Sequence, residues 1–164
     1  MNPLWTYFWP AFAAGLVIGL ITGLVAMRRQ NRWPALSIGV LLALAATGLW
    51  HGPFGGAQRL TAVVEKTARS ALDYYEMPAI QAHLHTGPLS RKLILAGTAD
   101  DFQRSELARL LSQLPGVSSA TWANSRGLPL VIEGAGVALL GFLTGLLLAY
   151  LVELHRRYNA QWKW

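Results

Sequence analysis

The chain has 164 residues, of which 53% are hydrophobic and only 13% charged, and its mean hydropathy is +0.33. A soluble domain carries about 25% charged residues, so this composition points toward lipid and excludes a disordered, collagenous or disulfide-framed chain. The absence of cysteine removes thiolate nucleophiles, CxxC redox pairs and cysteine zinc sites, and the formal net charge of +6 has to be located before it can be interpreted.

Trp5 to Met27 carries no charge. At ~1.5 Å per residue it is long enough to cross a ~30 Å hydrocarbon core with some tilt, which predicts a transmembrane helix over 5–27. No Lys or Arg precedes Trp5 and the basic residues follow the apolar run, so a signal peptide is not expected. Arg28, Arg29 and Arg32 form a short basic turn. Pro34 to Trp50 is a shorter apolar run, bracketed by Trp33 and Trp50 as by interfacial anchors, and predicts a second spanning helix over 34–50.

Residues 51–127 suffice for one small extramembrane domain. His51 to Ala57 is rich in Gly and Pro and reads as a linker. From Leu60 onward Val63, Val64, Ala68, Ala71, Leu72 and Tyr75 recur at helical spacing, with Thr67 on the same face and Pro78 beyond the end. Ile80, Ala82 and Leu84 then alternate with Gln81, His83 and His85, the period of a strand with one wet face. Thr86-Gly87-Pro88 reads as a turn. Leu93 and Leu95 alternate with Lys92, Ile94 and Ala96 in a second strand closed by Gly97. Asp100 or Asp101 can cap a helix whose Phe102, Leu107, Leu110, Leu111 and Leu114 face inward, until Pro115-Gly116 stops it. Val117 to Ala123 predicts a third strand. The order helix, strand, strand, helix, strand describes an α+β domain with its helices on one sheet face.

Leu128 to Val152 predicts the third spanning helix, which contains one ionisable side chain, Glu133, near its start. Interfacial solvation is the simpler account of that carboxylate, and a hydrogen bond to a partner helix the sharper one. Arg156, Arg157 and Lys163 follow in a basic and aromatic tail. They and the three arginines of the first turn equal the net charge in number, so the charge is mainly a topology signal. Short basic loops stay in the cytoplasm, which puts the N-terminus and residues 51–127 outside and the tail inside. The fold class is therefore a membrane protein with three transmembrane α-helices, divided as 1–50, 51–127 and 128–164, plus a small αββαβ domain. Nucleic acid is not an expected partner, since no basic stripe with interleaved aromatics occurs in the domain.

The run Leu93-Ile94-Leu95-Ala96-Gly97-Thr98, then Asp101, Arg104, Leu107 and Leu111, then Leu114-Pro115-Gly116-Val117 and Ala120, resembles a BON domain over about residues 60–122. That family repeats a pattern of strand, Gly-Thr, helix, Gly-Val and strand, sometimes beside peptidoglycan-binding modules, secretins or channels of bacterial envelopes. The resemblance implies a periplasmic, non-enzymatic module that binds phospholipid or protein, in a bacterial inner-membrane protein. Trp122 departs from it, standing where the family usually has a polar residue, and its nearness to Leu128 suggests the bilayer surface as its setting.

Gly97, closing a strand before a helix, and Gly116, after a helix, read as structural glycines at turns. His83 and His85 are two apart on a strand and can seed a metal site, but no third ligand is evident and a solvated sheet face is the simpler account. Adjacent Asp100 and Asp101 read as a helix cap, and no nucleophile elbow, Walker loop or zincin motif occurs. Neither an enzyme nor a cofactor is expected.

The membrane helices carry small residues every four positions: Ala11, Gly15, Gly19 and Gly23; Ala35, Gly39, Ala43 and Thr47; Gly134 and Ala138, then Gly141, Gly145 and Ala149. Such faces let backbones approach, within one bundle or against other subunits. Mid-membrane ionisable groups are lacking, so a transport path ranks low. Two readings follow. The leading one is an accessory or assembly subunit that binds other integral membrane proteins of a larger complex, photosynthetic or respiratory complexes among them, or self-associates. The alternative is an envelope-maintenance or stress module acting through membrane phospholipid. In either case strand alternation turns Ile94 outward beside His83 and His85, and with Trp122 these are the candidate contacts.

Overall fold

The computed structural model describes residues 2–28, 31–123 and 127–161. Arg29 and Lys163 of the expected basic clusters lie outside them. The element order is α1 (Pro3–Met27), α2 (Trp33–His51), α3 (Gly56–Tyr74), β1 (Gln81–Thr86), β2 (Leu89–Ala96), α4 (Asp101–Ser112), β3 (Ser119–Thr121) and α5 (Leu130–Gln161). Helices α1, α2 and α5 are long and apolar enough to cross a membrane. The chain divides into two compact units, one formed by the chain start through Tyr7 with Gly55–Glu133, the other by Phe8–Phe54 with the chain from Gly134 onward.

In the second unit α1 and α5 pack side by side and parallel. A Cβ added to Gly15 would meet Ala138, one on Gly19 would meet Phe142, and one on Gly23 would meet Ala149 and Leu146, so the contacts advance together along both helices. Helix α2 closes against them through Gly39, where a Cβ would stand 2.5 Å from Thr22 Oγ1 and 2.9 Å from Phe142 Cε2. Ala43 and Thr47 continue that buried face, and the Thr47 hydroxyl donates to the Ala43 carbonyl at 3.0 Å, so it needs no further partner. Helix α5 runs past the expected end at Val152 to Gln161. No Pro or Gly interrupts it after Gly145, and the i, i+4 pair between Arg157 and Glu153, at 3.1 Å, supports the extension.

In the first unit the sheet has the order β1-β2-β3, with β1 and β2 antiparallel and β2 and β3 parallel. Helix α3 begins at Gly56, inside the stretch expected to be linker, because Gly55 makes the turn at φ 70°. Its core stripe is Leu60, Val64, Ala68 and Leu72, while Val63, Thr67 and Tyr75 are exposed. Steps of four already account for the buried face, and Val63 and Thr67 form a parallel row on the adjoining side of the helix. Asp100 caps α4 in a reciprocal capping box with Gln103, its carboxylate accepting the Gln103 N–H at 2.7 Å. Leu107 and Leu111 are buried beneath this helix. Phe102, expected to face inward, is 75% exposed. At 100° per residue it lies about 140° around the helix from Leu107, on the opposite side. Strand β3 is shorter than the expected 117–123: the Val117 N–H is taken by the Leu114 carbonyl in a turn, and the ladder to β2 covers Ser119–Thr121.

Candidate functional surface

One face of the sheet is closed by the core that Leu84, Leu93 and Leu95 share with α3 and α4. The other carries the candidate contact residues. His83 pairs with Ile94 across β1 and β2, and Ile94 with Thr121 across β2 and β3, so these three form one row. Ile94 is half-buried and His83 exposed. Lys92, paired with Ser119, occupies the next row.

His85 departs from the expected outward pair of imidazoles, being only 8% exposed. The ladder shifts between Leu84 and Thr86, so strict alternation fails there and Leu84 and His85 are buried in succession. The His85 Nδ1–H donates to the Pro88 carbonyl at 3.0 Å, which leaves Nε2 as the acceptor in the neutral ring. Among the described residues no group of three or more His, Asp or Glu side chains is placed to hold a metal ion.

The outer edge of β1 is sealed by polar side chains of α3. The Leu84 N–H donates to Glu65 Oε1 at 3.0 Å, and Arg69 donates to the Ile80 carbonyl at 3.2 Å while pairing with Asp73 at 2.5 Å. Glu65 also lies 3.9 Å from His83 Nδ1. Satisfying edge groups in this way removes a template for unspecific strand pairing.

Trp122 is half-buried against α4, its indole N–H donating to the Arg104 carbonyl at 2.9 Å and the Arg104 guanidinium standing 5.4 Å from the ring centroid. That contact ties the indole to α4. Gly97 adopts φ 136° with room for no Cβ, which would stand 2.6 Å from the Ala79 carbonyl oxygen. Gly116 adopts φ 98°, and its Cβ would stand 2.8 Å from Val64 Cγ2 and 3.2 Å from Pro3 Cγ, so the first turn of α1 packs against this end of the domain.

A feature outside the sequence reading joins β2 to the first turn of α5. Arg91 Nε donates to Glu133 Oε2 at 2.7 Å, with side chains only 23% and 16% exposed. The Arg91 carbonyl accepts both the Ser118 N–H at 2.8 Å and its hydroxyl at 3.0 Å. Ser90 bridges to Pro129 just before α5 and is buried. An arginine 42 positions earlier thus holds Glu133, with both side chains largely buried.

The packing glycines of the long apolar helices interlock reciprocally. The carbonyl oxygens of Ala138 and Phe142 on α5 occupy the places of Cβ atoms at Gly15 and Gly19, and those of Phe12 and Leu16 on α1 occupy the places at Gly141 and Gly145. This is the close approach in which Cα–H groups face carbonyls across two helices. Comparison of the chain with protein-family models, with curated proteins and with solved structures finds no match.

Proposed function

We propose that the chain is a non-enzymatic membrane subunit of the bacterial inner membrane. Its three helices anchor it, and a periplasmic BON-like domain presents the open face of its sheet to another component of a membrane or envelope complex. The observation that carries the reading is the row His83, Ile94 and Thr121, which leaves a β-branched apolar side chain half-exposed between polar neighbours while the other face of the same sheet is closed. The succession α3, β1, β2, α4, β3 supports the BON-like reading.

The proposed orientation, domain outside and C-terminus in the cytoplasm, is supported by two features. The first residues of α1 and of α5 belong to the same compact unit as the domain, and Arg28, Arg32, Arg156 and Arg157 stand at or beyond the other ends of the spans. The second reading, contact with anionic phospholipid, is favoured by Lys92, one row from Ile94 on the side of Pro129 and the start of α5.

The test is Ile94→Glu in the full-length protein, captured from native membranes. The variant should fold, because Ile94 lies outside the core, and should lose a co-purifying protein that the native chain retains. Retention of every partner would refute the reading. Loss of binding to anionic nanodiscs with unchanged protein partners would favour the lipid reading instead.

A further inference from the structure

A cavity of about 540 Å³ lies beside Ile94, lined by Glu65 of α3 and by His83, Leu84, His85 and Thr86 of β1. That volume falls within the ~300–1,000 Å³ of ligand sites. Its polar side chains are mostly of one kind in hydrogen-bonding terms, and contacts within the chain decide which atoms accept.

The Glu65 carboxylate offers acceptors. Its Oε1 takes the Leu84 N–H at 3.0 Å, which leaves Oε2 and further lone pairs. His83 Nδ1, at 3.9 Å, stands too far away to hydrogen-bond to it. The His83 Nε2–H is given instead to Gln81 Oε1 at 3.4 Å, so Nδ1 is an acceptor in the neutral ring. His85 reaches the same condition through the opposite tautomer, because its Nδ1–H is held by the Pro88 carbonyl. No donor faces His85 Nε2 among the described residues. The atom is not sealed off either, since Ser90 Oγ is the one side-chain nitrogen or oxygen among those residues that is both fully enclosed and unpaired. A histidine only 8% exposed therefore turns a free lone pair toward the cavity that it lines. A buried acceptor without a donor costs stability, and Leu or Phe at this position would avoid that cost. The bond to Pro88 accounts for Nδ1 and not for Nε2.

Three side chains thus present acceptors, and among the lining side chains only the Thr86 hydroxyl can donate in return. Such a site calls for a ligand built of donors. A single metal ion does not fit, because these side chains are not placed to share one. A guanidinium spreads five N–H donors over a rigid planar fork, so it spans acceptors that one ion cannot, and its charge complements Glu65. The half-buried Ile94 suits the methylene stem of an arginine. The neighbouring cations of α3 are placed elsewhere: Arg69 is taken by Asp73 and the Ile80 carbonyl, and Lys66 lines an adjoining cavity that shares Glu65 and His83.

We propose that this cavity receives an arginine side chain of the protein partner, with the guanidinium held by Glu65, His83 and His85 and the stem lying on Ile94. The inference rests on the reading of this sheet face as a protein contact and names what the partner brings to it. An anionic headgroup would meet acceptors here and be repelled by Glu65.

Titration of the full-length protein in phosphatidylcholine nanodiscs with ethylguanidinium chloride, at constant ionic strength, tests the cavity without the partner. The readout is nuclear magnetic resonance of the Leu84 amide and of the His83 and His85 rings. These signals should move together and saturate, while the amide of Leu111, in the core under α4, stays still. Glu65→Gln keeps an acceptor for the Leu84 N–H but removes the charge, and should weaken the apparent affinity at least about fivefold. Ile94→Ala, at a half-buried position outside the core, removes the surface for the stem and should weaken it about twofold. Shifts that do not saturate, equal affinity in Glu65→Gln, or saturation by sodium acetate instead of ethylguanidinium would overturn the proposal. No response while Ile94→Glu still loses its partner would overturn the arginine and leave the contact face. A saturable response while Ile94→Glu keeps every partner would overturn the contact face, and with it the partner's arginine.

Discussion

Gly19 offers the sharpest test of the bundle, through the single methyl group of Gly19→Ala. The added Cβ would overlap the Phe142 carbonyl oxygen and stand 2.8 Å from both its carbon and its Cα, against 3.4–4 Å for ordinary contact. These are backbone atoms of a helix and cannot rotate aside, so α1 and α5 must separate by about 1 Å at this level. A gap of about 0.5–1 Å forfeits a quarter to a half of each atom pair's dispersion energy, which is about 0.1–0.2 kcal/mol. For a seam of about 40 such pairs, roughly 6 kcal/mol in total, the loss is about 1.5–3 kcal/mol. The better helix propensity of Ala returns at most about 1 kcal/mol. The net cost is therefore about 0.5–3 kcal/mol. Gly48→Ala is the matched control, since a Cβ there would meet nothing within 4 Å, and it should be neutral or slightly stabilising. Unfolding of the full chain in mixed micelles, followed through its seven tryptophans, measures both. Equal stability of the two variants would show that α1 and α5 do not meet at Gly19.

Three further outcomes are expected. Glu133→Gln removes a charge-assisted bond whose partners are both less than a quarter exposed and should cost about 1–3 kcal/mol; with Arg91→Met added, the total should fall short of the sum of the single changes, and strict additivity in that cycle would show no coupling. Gly97→Ala should destabilise the domain by about 2–3 kcal/mol, because φ 136° is strained for any side chain and the Cβ collides with Ala79; unchanged amide-exchange protection in β1 and β2 would contradict this. A reporter active only outside the cytoplasm should give signal when inserted at Gly87 and none when fused after Trp164, and the reverse pattern would invert the proposed orientation.

The three apolar helices are legible from sequence because the signal is local: an uninterrupted run without charge needs no knowledge of its neighbours. Their ends are less so, as α5 shows, where Glu153, Arg156 and Arg157 read as a tail and instead continue the helix through ion pairs within one face. Phe102 was expected inside on its hydrophobicity alone, although its angular distance from Leu107 places it outside. His85 was expected outside on strict alternation, which holds only while the ladder is regular; the shift beyond Leu84 is a property of two strands together. The partner of Glu133 lies 42 positions away on β2, beyond the reach of any local spacing rule.

The shortest of the three long apolar helices, α2 with 19 residues, packs on both others, through Thr22 of α1 and Phe142 of α5. The spacing of four that marks Gly15, Gly19 and Gly23 is visible on α1 alone, but it does not say which helix fills the groove or in which direction. The pairs Gly15 with Ala138, Gly19 with Phe142 and Gly23 with Ala149 ascend together, so α1 and α5 run parallel. Two helices of one chain that both cross a bilayer can be parallel only if the chain between them crosses an odd number of times. Residues 33–51 hold the one further helix in that interval, among the described residues, that is long and apolar enough to do so. Its 19 residues span about 28 Å, close to the thickness required. A charge placed within α2, through Leu41→Arg on its exposed side, should therefore impair insertion of α5 in the parallel sense and not only that of α2. Intact α1–α5 packing in such a variant, with α2 no longer protected by the membrane, would break the link between parallel packing and three crossings.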